Sequence, residues 1–246
     1  MNTRLTILSV WVDPVTRAEC LEKISHYVKG GDRVHTIFAV NPEKNFQARK
    51  EGSLRQALKS ADLLIPDGIG VVLAARVLYG VRLSRVPGVE LMEDICALAG
   101  RKGHKVFVYG AREVVNKQAV EILKERHGGL NIVGRSHGYV SEQDMAALVE
   151  KINASGAEIL FLALGSPKQE KWLAAHKDAL NTVKVCQGIG GTLDTIAGKV
   201  KRAPKIWCRC SAEWLYRLLS EPSRIKRQKV LPVFAMMVVL AKLRQW

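Results

Sequence analysis

The chain has 246 residues, 48% hydrophobic and 25% charged, with a formal net charge of +15. That length and balance predict one large domain, or one domain with an appendage, and exclude disorder over most of the chain. A polytopic membrane protein is excluded too: no uncharged apolar run reaches the roughly 18 residues needed to span, and the longest candidate, 230–241, is interrupted by Pro232.

The start, Met1-Asn2-Thr3-Arg4, lacks the basic and then apolar layout of a signal peptide. The five cysteines (20, 96, 186, 208 and 210) are an odd number in a chain large enough to build a core without staples. Free thiols in a reducing cytosol are expected. Cys208 and Cys210 have no second Cys pair and no nearby His, so no zinc site is expected there.

Along the chain, short β-branched or apolar runs alternate with longer amphipathic stretches. Leu5 to Val12 reads as one strand, broken by Asp13-Pro14, and 16–28 as a helix with Leu21, Ile24 and Val28 on one side. A strand at 35–40 runs into Asn41-Pro42, and a helix follows over 43–59 with a weak point at Gly52-Ser53. A short strand at 62–65 ends in Pro66-Asp67-Gly68; helices at 71–79 and 89–99 flank a basic loop, 80–88. Then come a strand at 105–109, a helix to about Arg126, a strand at 130–134 and a helix at 142–153. The strand at 158–164, the helix at 166–177 and the strand at 183–187 lead into Gly188-Ile-Gly-Gly-Thr192, which opens another helix. Continuous apolar strands such as Ile159-Leu-Phe-Leu-Ala-Leu164 are buried on both faces. The fold expected is α/β: a Rossmann-like, mostly parallel sheet with helices on both faces.

Charge divides the chain. From Lys199 onward there are twelve Lys and Arg against Glu213 and Glu221, a surplus of ten, which leaves about five for the first 198 residues. Two parts are therefore expected, an α/β domain over 1–195 and a basic, apolar helical appendage over 196–246. In the appendage Trp207, Trp214, Leu215, Leu218 and Leu219 interleave with Arg217, Arg224, Lys226 and Arg227, and an aliphatic run at 230–240 follows. Such a segment suits a helix lying in an anionic lipid interface, a core helix with a solvated charged face, or a nucleic-acid arm.

In doubly wound sheets ligands sit beyond the carboxyl ends of the strands. Here those ends are polar and rich in Gly, which fits a nucleotide-type ligand: Asn41-Pro42, Pro66-Asp67-Gly68, Gly110-Ala111-Arg112, Gly165-Ser166-Pro167 and Gln187-Gly188. No Gly-x-Gly-x-x-Gly follows a strand with an acidic residue about 20 positions on, and no Walker motif is present, so a nicotinamide, flavin or P-loop site is disfavoured. Asp67 is a lone carboxylate at a strand end, placed to act as a general base or to serve only as a turn residue. Arg82 and Arg85 are candidate phosphate ligands or solvated surface groups. Ser166 reads as an N-cap with Pro167 at N1, which leaves backbone N–H groups near Lys168 and Gln169 for an anion. Gly190, Gly191 and Thr192 let the backbone approach a diphosphate, or simply make a tight turn. His35, His104, His137 and His176 have no metal-ligand spacing.

Six strings together resemble one family: Pro66-Asp-Gly-Ile-Gly70, Arg85-Val-Pro-Gly88, Gly165-Ser-Pro-Lys-Gln-Glu170, Gly188-Ile-Gly-Gly-Thr192, Val200-Lys-Arg-Ala-Pro204, and Glu213-Trp-Leu-Tyr-Arg217 with Glu221-Pro-Ser-Arg-Ile225. They are similar, in order, to the motifs of the WecG/TagA/CpsF glycosyltransferases. The resemblance implies an inverting transferase that moves an N-acetylmannosamine-type sugar from a UDP donor to undecaprenyl-diphosphate-linked N-acetylglucosamine. It would work without a metal or other cofactor, peripherally on the cytoplasmic membrane face, in cell-surface polysaccharide synthesis of the wall teichoic acid type. By the same resemblance Asp67 is the base, and Asn41, Arg85 and Gln169 are pocket residues. Arg217, Arg224 and Arg227 belong to an appendage that closes over the donor diphosphate. Ala39 departs from the Thr that the teichoic acid branch carries two residues before that Asn. On the residues alone, a basic nucleic-acid-binding protein, an oxidoreductase and a non-catalytic membrane-associated scaffold stay open as alternatives.

Overall fold

The computed structural model describes residues 3–200, 204, 207, 215, 216 and 229–244. A small hairpin, β1 (Leu5–Ile7) and β2 (Val10–Val12), precedes α1 (Arg17–Gly30). Then follow β3 (His35–Val40), α2 (Pro42–Lys50), α3 (Gly52–Lys59), β4 (Leu63–Pro66), α4 (Ile69–Tyr79) and α5 (Gly88–Lys102). β5 (Lys105–Gly110), α6 (Glu113–Arg126), β6 (Asn131–Ser136), α7 (Met145–Ala154), β7 (Ile159–Ala163), α8 (Lys168–His176), β8 (Val185–Gly188) and α9 (Thr192–Ile196) continue the alternation. A last helix, α10, spans Val230–Leu243.

Six strands form one parallel sheet in the order β4-β3-β8-β7-β5-β6. Its strands feed two cores by simple alternation. Leu160 and Leu162 enter the core on one face, with α3, α4, α7 and α8. Ile159, Phe161 and Ala163 enter the core on the other, with α1, α5, α6 and α9. This double burial is why the strands read as unbroken apolar runs. Each fully buried Leu, Ile or Phe contributes about 1.5–3 kcal/mol.

Three local readings are corrected. Leu5 to Val12 is not one strand but a hairpin, pairing Leu5 with Val12 and Ile7 with Val10, with Leu8 at φ 53° in the turn. In a straight strand Ile7 and Val10, three residues apart, would face opposite ways; the hairpin buries both in one core. The 43–59 helix is interrupted, as its weak point at Gly52-Ser53 suggests, but one residue earlier: two helices meet at Glu51, whose backbone is extended. The third correction, at Ser166, belongs to the site.

Residues 230–243 are one helix despite Pro232, which is third in α10. There its missing N–H falls among the first-turn amides that lack an intrahelical partner anyway. α10 packs against α4 and α2. Phe234 and Val238, one turn apart, enter the first core, and Lys242 Nζ donates to Leu78 O (3.2 Å). The core-helix reading of this segment therefore holds for one face. On the other face Met236, Val239 and Leu243 are 53–65% exposed. No helix among the described residues is long and apolar enough to cross a membrane.

Candidate active site

The order of the strands creates the site. β3 and β8 are neighbours. The helix after β3 packs on one face of the sheet and the helix after β8 on the other. The two connections part at the carboxyl ends, and a crevice opens between them, as expected where a doubly wound sheet changes direction. A cavity of about 1320 Å³ occupies it. That exceeds the roughly 300–1,000 Å³ of a pocket for one drug-sized ligand.

Its floor is polar and is built from strand ends. Val40 of β3 pairs with Pro66 of β4, so the residues that follow them, Asn41 and Asp67, emerge side by side and both line the cavity. Asn41 caps α2, its Oδ1 accepting from Lys44 N (2.8 Å). Asp67 does not cap α4, whose N-cap is Gly68. Its Oδ1 instead accepts from Gly88 N at 3.2 Å, across 21 residues of chain. Gly88 opens the 15-residue helix α5, so the positive end of that helix dipole faces the carboxylate. Arg85 holds the same turn, Nε donating to Asp67 O at 2.7 Å, and Val86 N donates to Pro66 O at 2.8 Å. The basic loop is thereby folded over the end of β4, which brings Arg85 to the cavity wall.

The opposite wall is the loop after β8. Gly190, Gly191 and Thr192 line it, with Gln169 and Ser166 from the β7–α8 connection. Gln169 is buried; its Oε1 accepts from Gly190 N (3.0 Å) and its Nε2 donates to Glu170 Oε1 (3.1 Å). Ser166 is not the N-cap: α8 starts at Lys168, Pro167 takes the cap position, and no side chain caps it. The Ser166 Oγ is buried with no hydrogen-bond partner among the described residues.

Gly110 does not line the cavity. It ends β5, on the far side of β7, at φ 127°, with Ala163 backbone 2.4–2.8 Å from where a Cβ would stand. Its side-chain-free backbone serves strand packing. Arg217, Arg224 and Arg227 lie outside the described residues.

Two members of the site carry no signal strong enough to single out. Lys44 is buried, lines the cavity and pairs with Glu170 (2.8 Å). Lys44 sits one turn after Asn41, and Glu170 closes a motif already noted, but only folding brings them together from 126 residues apart. Part of the lining is apolar: Leu73 and Val77 of α4 with Leu231, Val238 and Val239 of α10.

Cys208 and Cys210 lie outside the described residues; the three described cysteines take no part in the site. Burial pushes the Cys20 and Cys96 thiols up to about 12, and holds Cys186 well above the usual range; none of the three lines the cavity. Among the described residues no three His, Cys, Asp or Glu side chains are grouped as a metal site. Residues 5–246 match the Glycosyl transferase WecG/TagA/CpsF family, and the chain belongs to that family of glycosyltransferases.

Proposed function

We propose that this glycosyltransferase transfers N-acetylmannosamine, or a closely related sugar, with inversion from UDP to undecaprenyl-diphosphate-linked N-acetylglucosamine. The observation that carries the reading is the pairing of the Asp67 carboxylate with a glycine-lined wall across one cavity.

Asp67 accepts the proton of the acceptor hydroxyl as its oxygen attacks the anomeric carbon. The bond from that carbon to the diphosphate oxygen breaks, and UDP leaves with the electron pair. Base catalysis of this kind is worth typically about 10²–10⁴-fold. Attack opposite the leaving group inverts the anomeric centre. The growing negative charge is met by the backbone N–H of Gly191, by Arg85, and by Arg217, Arg224 and Arg227, the electrostatic stabilisation that is usually the largest catalytic contribution. In this reading arginines take the part that a divalent ion plays elsewhere.

Residues 1–195 are the catalytic unit and 196–246 the segment that completes and closes it. The band formed by Leu73, Val77, Met236, Val239 and Leu243, each 42–65% exposed, supports a peripheral site on the cytoplasmic membrane face. It adjoins the cavity rim, so a lipid-linked acceptor would enter from the bilayer. The pathway would be cell-surface polysaccharide synthesis, with the linkage unit of wall teichoic acid as the type.

A panel of radiolabelled UDP-sugars, each offered to a short-chain lipid-diphosphate N-acetylglucosamine, tests this. Transfer from UDP-N-acetylmannosamine, in EDTA and with inversion, is expected. Transfer only from another donor class, a retained anomeric configuration, or a strict requirement for added magnesium would overturn the corresponding part.

A further inference from the structure

One buried cluster beside the cavity has no part in the chemistry above. Glu170 is fully buried in the first turn of α8, and its Oε1 accepts from Lys44 Nζ (2.8 Å) and Gln169 Nε2 (3.1 Å). Its Oε2 has no hydrogen-bond partner among the described residues. A buried ion pair is weak evidence of a stability role, because apolar residues of similar volume usually serve as well or better. A carboxylate half satisfied in a low-dielectric interior is costlier still.

We propose that Glu170 is a positioning residue for the glycine wall, with Lys44 as its partner. The argument is one of donors and acceptors. An ionised carboxylate only accepts, so the amide of Gln169 must turn its NH₂ toward Glu170. That leaves the Gln169 Oε1 facing the other way, where it receives the Gly190 N–H at 3.0 Å. A neutral residue at 170 would lift this constraint, and a flipped amide would set NH₂ against N–H. Lys44 also reaches the facing wall, since its backbone N–H donates to Asn41 Oδ1. The network thus runs from Asn41 at the end of β3, through Lys44, Glu170 and Gln169, to Gly190 after β8, and fixes the width of the crevice. What the wall is shaped for, the donor diphosphate, rests on the function proposed above.

The test uses the full chain and three readouts: thermal midpoint, UDP affinity by calorimetry, and hydrogen exchange at the Gly190 amide. Glu170→Gln should stay folded, lose Gly190 protection and weaken UDP binding about tenfold, the order expected when one charge-assisted hydrogen bond is lost. The donor KM should rise more than kcat falls. Lys44→Met combined with Glu170→Leu removes both charges. It should recover thermal stability relative to the single variant without recovering UDP affinity, and it carries the test if Glu170→Gln fails to fold. Wild-type UDP affinity and Gly190 protection in Glu170→Gln, or full recovery of both in the double variant, would reduce the pair to packing and overturn the proposal. A wild-type protein that binds no UDP would instead sink the donor reading, and Gly190 exchange would still decide whether Glu170 sets the loop.

Discussion

Replacing Gly188 with alanine tests the glycine wall where it is tightest. The added methyl would stand 2.7 Å from Gln169 Nε2, 2.8 Å from Phe38 Cδ1 and 2.9 Å from Gln169 Cδ. Carbon atoms pack at about 3.5–4.0 Å, so something must move by close to an ångström. Phe38 is 2% exposed and locked among core residues, so Gln169 has to give way. It then loses its bonds to Gly190 N and Glu170 Oε1. Overpacking costs about 1–3 kcal/mol, and the two bonds about 1 kcal/mol or somewhat more each. A loss of about 3–5 kcal/mol is expected, a large part of the roughly 5–15 kcal/mol that holds a typical domain. Urea denaturation followed by circular dichroism measures it, and calorimetry with UDP at low temperature should show weakened binding in the folded fraction. A loss below about 1 kcal/mol with unchanged UDP affinity would refute the claim that Gln169 is threaded past this position and holds the wall.

Asp67→Asn keeps an oxygen for Gly88 N but removes the proton acceptor; turnover should fall about 10²–10⁴-fold while UDP affinity stays within a few-fold, and unchanged turnover would remove Asp67 from the mechanism. Gly110→Ala forces a side chain against the Ala163 backbone at φ 127°; a large drop in thermal midpoint is expected, with the donor KM of surviving enzyme unaltered, and a selective rise in KM would return Gly110 to the substrate site. Asp62 gives a pH signature. Burial pushes its carboxyl up, but the Arg33 guanidinium (2.5 Å) and the Thr36 N–H (2.8 Å) outweigh that and hold it below the ordinary carboxylate value. A depressed folded-state value means stability that is present above the unfolded value, about pH 4, and lost as pH falls through the folded one. The stability gap between wild type and Asp62→Asn should therefore shrink from pH 6 to pH 3, and a constant gap would rule the linkage out.

The fold was legible because its sheet is buried on both faces. Ile159 to Ala163 could only be an internal parallel strand, and the regular alternation with amphipathic stretches left few other arrangements. The hairpin at Leu5–Val12 escaped because period-2 reading cannot see a two-residue turn built on Leu8, a residue with no turn preference. The placement of Asn41 and Asp67 was legible for a related reason: each directly follows a strand, and strand ends gather at one edge. Gly110 follows the same local rule and still misses the cavity, because strand order decides which ends become neighbours, and no local pattern records that β5 lies beyond β7. The pairing of Lys44 with Glu170 was invisible for a third reason. A lysine in the first turn of one helix and a glutamate in the first turn of another look like solvated surface groups until the sheet folds both under it.

That order of strands also bears on the C-terminal segment. α10 lies against α4, the helix that follows Asp67, and it presents Phe234 and Val238 to the core while Val239 reaches the cavity rim. Gly70, in the first turn of α4, sits so close to Pro42 that a Cβ there would meet its Cγ at 2.6 Å, with Phe234 Cε1 at 3.8 Å. The strand-end turn that presents Asp67, the cap that presents Asn41, and the anchor of α10 are thus in one contact. One helix therefore serves at once as part of the core and as a wall of the cavity.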